Sequence, residues 1–243
     1  MKKIHCLFVI LFLSILIACG NETIEKKETL INPTKEESTS EEIEPDITLQ
    51  NSKVKDISSL IPDGWGILKA FDEELVKAEG DLNKDAINDI AIVIEEIKES
   101  EEAPSRALLI AFRNKEGTLS LSIIAKKVIL EKDEGGVWGD PFESLSIDRG
   151  SVLVSDYGGS NWRWYNRYRF RFQDNDWYLI GATMGSYFTG NATMDNADEE
   201  DYNLLTGDYL IKRTDEEGYV KITKGNRGKK QLVKLSEFNI EDM

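Results

Sequence analysis

The chain has 243 residues, 40% apolar and 31% charged, and its 45 acidic against 30 basic side chains give a net charge of −15. That balance argues against nucleic acid as a partner and against direct attraction to anionic lipid headgroups. The only histidine, His5, and one of the two cysteines, Cys6, fall within the first 18 residues.

Those residues read as a leader. Met1-Lys2-Lys3 is followed by an apolar stretch from Ile4 to Ala18, and then by Cys19. A short basic start, an apolar middle and small residues before a cleavage point describe a secretory signal. The apolar stretch is also shorter than the roughly 20 residues that span a bilayer. Leu16-Ile17-Ala18-Cys19 resembles the lipobox of bacterial lipoproteins. The resemblance implies cleavage before Cys19, a lipid on its sulfur, and a protein tethered to the extracytoplasmic face of the cell membrane. Cleavage removes Lys2 and Lys3 and leaves 28 basic against 45 acidic residues, net −17, with no histidine. Such a chain has no intrachain disulfide, no Cys/His zinc site, no cysteine nucleophile and no Ser-His-Asp triad. Any catalysis falls to carboxylates, Tyr, Lys or a Ser-Lys pair.

Residues 19–53 are rich in Glu, Lys, Thr, Ser and Asn, with Pro33 and Pro45 and only scattered Ile and Leu. They bury too little apolar surface to offset their ordering entropy, which predicts a disordered tether with an extended reach of about 100 Å. Residues 54–243 are expected to form the globular domain, with a subdomain break placed near 132–141.

Within that domain Val54 to Leu60 suggests a short helix with Ile57, Leu60 and Ile61 facing inward, and Pro62-Asp63-Gly64 a turn. Strands are predicted from Trp65 to Leu68, from Ile90 to Ile97, and for Arg106 to Phe112 and Thr118 to Ile124 around Asn114-Lys115-Glu116-Gly117. Another is placed at Lys126 to Glu131. Phe142 to Ile147 and Ser151 to Ser155 flank the turn Asp148-Arg149-Gly150, and Gly158-Gly159 is read as a break. Trp162 to Phe172 is the clearest strand. Trp162, Trp164, Tyr168, Phe170 and Phe172 share one parity, and Arg163, Tyr165, Arg167, Arg169 and Arg171 the other, so the pattern predicts an aromatic core face and an arginine outer face. Asp174-Asn175 returns the chain into Trp177 to Ile180. A hairpin follows at Tyr209 to Thr214 and Tyr219 to Thr223, and Lys229 to Phe238 closes the domain as a strand or short helix. The expected class is mainly β, α+β at most: an antiparallel meander or sandwich.

One loop stands out for its chemistry. In Asp81-Leu82-Asn83-Lys84-Asp85-Ala86-Ile87-Asn88-Asp89 the oxygen-bearing Asp81, Asn83, Asp85 and Asp89 and the carbonyl of Ile87 offer hard ligands for Ca²⁺. It is similar to the Asp-x-Asn/Asp-x-Asp-x-x-x-Asp loop of FG-GAP and VCBS-type repeats, which implies Ca²⁺ as a structural ion between two strands. The sequence departs from that pattern at Ala86, where glycine is usual. The same residues also suit an Asx-rich turn that caps its own backbone.

Elsewhere, the arginine row suits either anionic ligands or cross-strand pairing with acids. Trp138 and Asp140 lie in the Gly-rich stretch Gly135 to Pro141, and Tyr157 and Asn161, with Arg163 just beyond, lie in or beside Asp156 to Asn161. These are the expected ligand-facing residues, because loops usually carry function. Trp162 and Trp164 are expected in the core. The Gly-Asp-Pro and Gly-Gly-Ser-Asn-Trp-Arg-Trp stretches are similar to those of bacterial lipoproteins, a resemblance that implies no activity. The expected function is a membrane-tethered, extracytoplasmic binding or structural β-domain stabilised by Ca²⁺, with a cell-wall polymer or envelope protein as partner. The alternatives are a cell-envelope glycan hydrolase using carboxylates and a cell-wall polymer binding module.

Overall fold

A computed structural model of the chain describes residues 54–70, 73–215 and 217–243. The signal, Cys19 and the tether over 19–53 lie outside the described residues. The domain is mainly β: among the described residues there are twelve strands and no α-helix.

Strands β1 (Trp65–Ile67), β2 (Lys77–Gly80), β3 (Asp89–Glu96), β4 (Arg106–Arg113) and β5 (Leu119–Lys126) form one antiparallel sheet. β1 and β2 share one edge of β3, pairing with its C-terminal and N-terminal halves. The central strands read Asp-Ile-Ala-Ile-Val-Ile-Glu-Glu and Arg-Ala-Leu-Leu-Ile-Ala-Phe-Arg, apolar at both parities, as strands buried on both faces do. On one face Ala91, Val93, Leu108 and Ile110 enter the main core. On the other, Ile90, Ile92, Ile94, Leu109 and Ala111 pack with Leu60, Ile57 and Ile61. Leu60 sits in a short 3₁₀ turn, Ile57–Leu60, whose first N–H groups are capped when Ser58 donates to Asp56 Oδ1 at 3.1 Å.

The second sheet is a seven-stranded antiparallel meander: β6 (Phe142–Asp148), β7 (Ser151–Gly159), β8 (Trp162–Gln173), β9 (Asp176–Phe188), β10 (Asp198–Asn203), β11 (Asp208–Thr214) and β12 (Val220–Asn226). Asp174 and Asn175 both take positive φ, 51° and 60°, so the two-residue turn matches the twist of β8 and β9. Val152, Val154, Tyr168, Phe170, Trp177, Leu179 and Ala182 meet the first sheet in one shared core. Trp177 donates its indole N–H to Ser122 of β5 at 2.9 Å, which ties the two sheets together.

Several expectations are corrected. Residues 127–131 form no strand: Lys127 turns at φ 64°, and Val128 and Ile129 drop into the core from an irregular segment. Gly158-Gly159 does not break β7, because both residues pair with β8 and the chain turns only at Ser160-Asn161. β9 runs eight residues past Ile180, and β10 was not foreseen. Residues 229–238 are neither helix nor regular strand. They make one bridge, Lys234 to Tyr178, and insert Leu235 and Phe238 into the core. Trp162 is 65% exposed, not core, and Trp164 is half-buried.

Candidate functional site

The Gly-rich stretch before β6 is shaped by close backbone approach. A Cβ on Gly135 would collide with the carbonyl oxygen of Gly139, so only glycine lets the loop fold back on itself. Gly139 ends the 3₁₀ turn Gly136–Trp138 at φ 96°, a region that excludes most side chains. The loop then lies against β7: Gly159 N–H donates to Gly135 O at 2.9 Å, and Tyr157 N–H to Pro141 O at 2.8 Å. Gly158 allows this contact, since its Cα side faces Gly135 and the Trp164 ring.

This docking seats Trp138 on the outer face of the seven-stranded sheet. Its ring meets Tyr157 edge to face at 4.9 Å between centroids. The Arg163 guanidinium lies 4.6 Å from the Trp138 centroid, held there by a hydrogen bond from Nη1 to Gly159 O at 2.9 Å. Across the sheet Tyr187 stands opposite Arg163, and the Tyr157 and Tyr187 hydroxyls are 2.7 Å apart. Burial and that hydroxyl contact push the Tyr157 pKa up to about 12, so it stays a neutral donor and acceptor. Trp138 remains 54% exposed. Beneath them Tyr165 lies over Gly185, where a Cβ would strike its ring, and its hydroxyl donates to Glu199 at 2.6 Å. The arrangement presents flat aromatic rings beside fixed polar groups, a surface suited to stacking on a ligand while hydrogen-bonding its edges.

Of the expected ligand-facing residues, the fold brings together Trp138, Tyr157 and Arg163. Asp140 points elsewhere. It accepts two bonds from Arg106, Nη1 to Oδ1 at 2.7 Å and Nη2 to Oδ2 at 2.6 Å, while Arg106 Nε donates to Glu95 at 2.7 Å. Burial works against the Arg106 charge, but its two carboxylates outweigh that and raise its pKa. Asn161 is exposed in the β7–β8 turn, where its carbonyl accepts from Thr189 N–H at 2.8 Å. Sequence reasoning missed Tyr187. The alternation Thr183, Gly185, Tyr187 continues the outer parity of β9 and could have marked it.

The cluster around Arg106 includes one unmatched group. Asp156 faces inward from β7, is fully buried, and neither carboxylate oxygen has a hydrogen-bond partner among the described residues. Burial, with Glu143 nearby, pushes its pKa up to about 8. Arg106 lies close enough to oppose that shift, but its guanidinium is already shared by Glu95 and Asp140. Sealed from solvent, Asp156 is a poor candidate for contact with a substrate.

The acidic loop sits at the margin of the first sheet, with Leu82 fully buried in the main core. Its carboxylates turn onto its own backbone. Asp81 Oδ1 accepts from Lys84 and Asp85 N–H and Oδ2 from Ala86 N–H, while Asp85 Oδ1 accepts from Ile87 N–H. Asp89 lies buried below, accepting from Leu82, Asn83 and Arg113 N–H. These are self-capping Asx turns, and Ala86 and Lys84 both take positive φ, 66° and 67°. The five expected ligands lie in this turn and at the first residue of β3. Both oxygens of Asp81 and both of Asp89 accept backbone N–H groups, as does Asp85 Oδ1, and the Asn83 amide donates to Asp85 Oδ2 at 3.2 Å. Compared with protein-family models, curated proteins and solved structures, the chain has no match.

Proposed function

We propose that this protein is a non-enzymatic, lipid-anchored binding domain on the extracytoplasmic face of the cell membrane, and that the outer face of its seven-stranded sheet recognises a cell-wall polymer. One observation carries the reading. Trp138, Tyr157, Arg163 and Tyr187 come from separate stretches of chain and converge on one face, with the Trp138 ring half exposed. The sheet supplies rigidity, and the aromatic rings supply contact area at low entropic cost. The lipobox-like Leu16 to Cys19 and the low-complexity 19–53 segment support the anchor and the tether. The full-length protein should cosediment with purified cell wall, and Trp138→Ala should weaken that at least tenfold with the melt unchanged. Equal retention of the two proteins would overturn the reading.

Ca²⁺ at the acidic loop is a second, separate part of the proposal. Its support is the hard oxygen set of Asp81, Asn83, Asp85, the Ile87 carbonyl and Asp89, chemically suited to that ion. Excess Ca²⁺ should raise the melting temperature of the wild type and leave Asp85→Ala unmoved. No stabilisation of the wild type would retire the ion.

A further inference from the structure

Below the Trp138 cluster the outer face of the same sheet changes character. β8 presents Arg163, Arg167, Arg169 and Arg171 on one parity, the last three at successive alternate positions, and residues two apart on a strand recur at about 6.6 to 6.8 Å. On the neighbouring strand the facing positions are Thr183 opposite Arg167 and Gly181 opposite Arg169, so the arginines border a trough instead of packing against bulky neighbours. The trough encloses about 450 Å³, and among the described residues Arg149, Arg167, Arg169 and Arg171 line it with Asp201 as the one lining acid.

Cross-strand pairing with acids, the simpler expectation for this row, accounts for only part of it. Asp148 meets Arg169 at 3.2 Å and Arg149 at 3.0 Å. Asp201 is occupied in accepting the Thr183 hydroxyl at 2.7 Å. Arg171 reaches only Ser151 Oγ, at 3.2 Å, and Arg167 is exposed and makes no hydrogen bond or ion pair among the described residues. Four guanidiniums gathered around one trough form a local positive stripe in a chain of net charge −15.

We infer that this trough binds the main-chain phosphates of a linear phosphodiester polymer, lying along β8 and continuing onto the Trp138 cluster. The inference rests on the wall-polymer reading above and narrows its ligand class. A guanidinium fork matches a phosphate bidentately, and a column of forks at a short repeat matches charge carried in the polymer backbone. Two strand residues span six backbone bonds, and successive phosphorus atoms joined by a three-carbon polyol bridge are also six bonds apart. Carboxylates borne on sugar rings recur at a longer interval and fit the column less well. The Gly181 and Thr183 floor leaves room for the polyol, and Thr183 and Asp201 face its hydroxyls.

The test is titration of the full-length protein with a synthetic glycerol phosphate oligomer, at several salt concentrations. Engagement of two to four phosphates predicts a log–log salt slope of magnitude about 1.4 to 2.8, taking the single-strand value of roughly 0.7 per contact. Arg167→Gln with Arg171→Gln should weaken binding about tenfold or more and lower the slope by about 1.4, with the melt unchanged. If that double variant melts lower, Arg167→Gln alone carries the test, since its side chain makes no hydrogen bond or ion pair among the described residues. No binding of the oligomer by the wild type, or binding indifferent to these substitutions, overturns the inference. So does equal affinity for hyaluronate, whose charges are carboxylates. If Trp138→Ala still loses cell wall while the oligomer fails to bind, the recognition face stands and only its ligand class falls. If the arginine variants lose the oligomer while Trp138→Ala holds cell wall like wild type, the trough stands and the aromatic cluster falls.

Discussion

At the scale of single residues, Asp156 is where local chemistry and the fold conflict most. Its carboxyl is buried with no hydrogen-bond partner among the described residues, and Arg106, which opposes its raised pKa, already holds Glu95 and Asp140. Unfolded, it ionises near the ordinary 3.8, and folded near 8. The folded state therefore keeps a proton that the unfolded chain has released across that window, and stability falls as pH rises from about 4 to about 8. Asp156→Asn removes the ionisable group at nearly constant shape. It should match wild type near pH 4 and exceed it at pH 8 by at least ~2 kcal/mol, or about 4 to 8 °C in melting temperature. Thermal melts across that range check this, and a difference that does not grow with pH contradicts it. Ala86 is a lesser conflict: a Cβ held at φ 66° costs on the order of 1 kcal/mol, which the self-capped turn around it absorbs.

At the scale of elements, the Gly135–Pro141 loop shows how backbone contact places a side chain. Gly135→Ala would force the carbonyl of Gly139 aside and unseat Trp138. The expected result is loss of cell-wall retention comparable to that of Trp138→Ala, measured by cosedimentation, with a melting temperature lowered by a few degrees, about 1 to 2 kcal/mol. Normal retention would show that the loop does not position the ring. The alternation in β8 was legible because a half-buried strand writes its two faces into alternate residues. Its ends were not. Trp162 shares the parity of Phe170 but pairs with Phe188 at the tip of the β8–β9 ribbon, where the ring is largely exposed. Parity reports which face a residue takes, not whether anything covers it there. β10 was missed for the opposite reason: Asp198 to Asn203 is polar at almost every position, and its pairing with β9 and β11 defines it as a strand.

At the scale of the molecule, the mainly β class could be read from strand spacing and turn signals, but which strands join which sheet could not. It depends on β6 pairing onward with β7 and not back to β5, and on the shared core that residues 127–141 link across. The candidate site was half legible for the same reason. Trp138, Tyr157 and Arg163 could be picked as aromatic and cationic residues in or beside Gly-rich stretches, but their meeting is set by β7 pairing with both the Gly135 loop and β8. Tyr187 joins them only through the full length of β9. Asp140 was chosen on the same local grounds and instead pairs with a buried arginine 34 residues earlier.

The central claim is that recognition belongs to the outer face of the seven-stranded sheet. Trp138 and Trp162 are both exposed and lie near the same end of that sheet, Trp138 against its outer face and Trp162 on the opposite parity. The direct measurement is the affinity of full-length Trp138→Ala and Trp162→Ala for purified cell wall, at matched melting temperatures. Trp138→Ala should lose at least tenfold and Trp162→Ala change by less than about twofold, in line with the cost of removing a buried aromatic anchor from an interface. The reverse order, or no loss from either substitution, would contradict it.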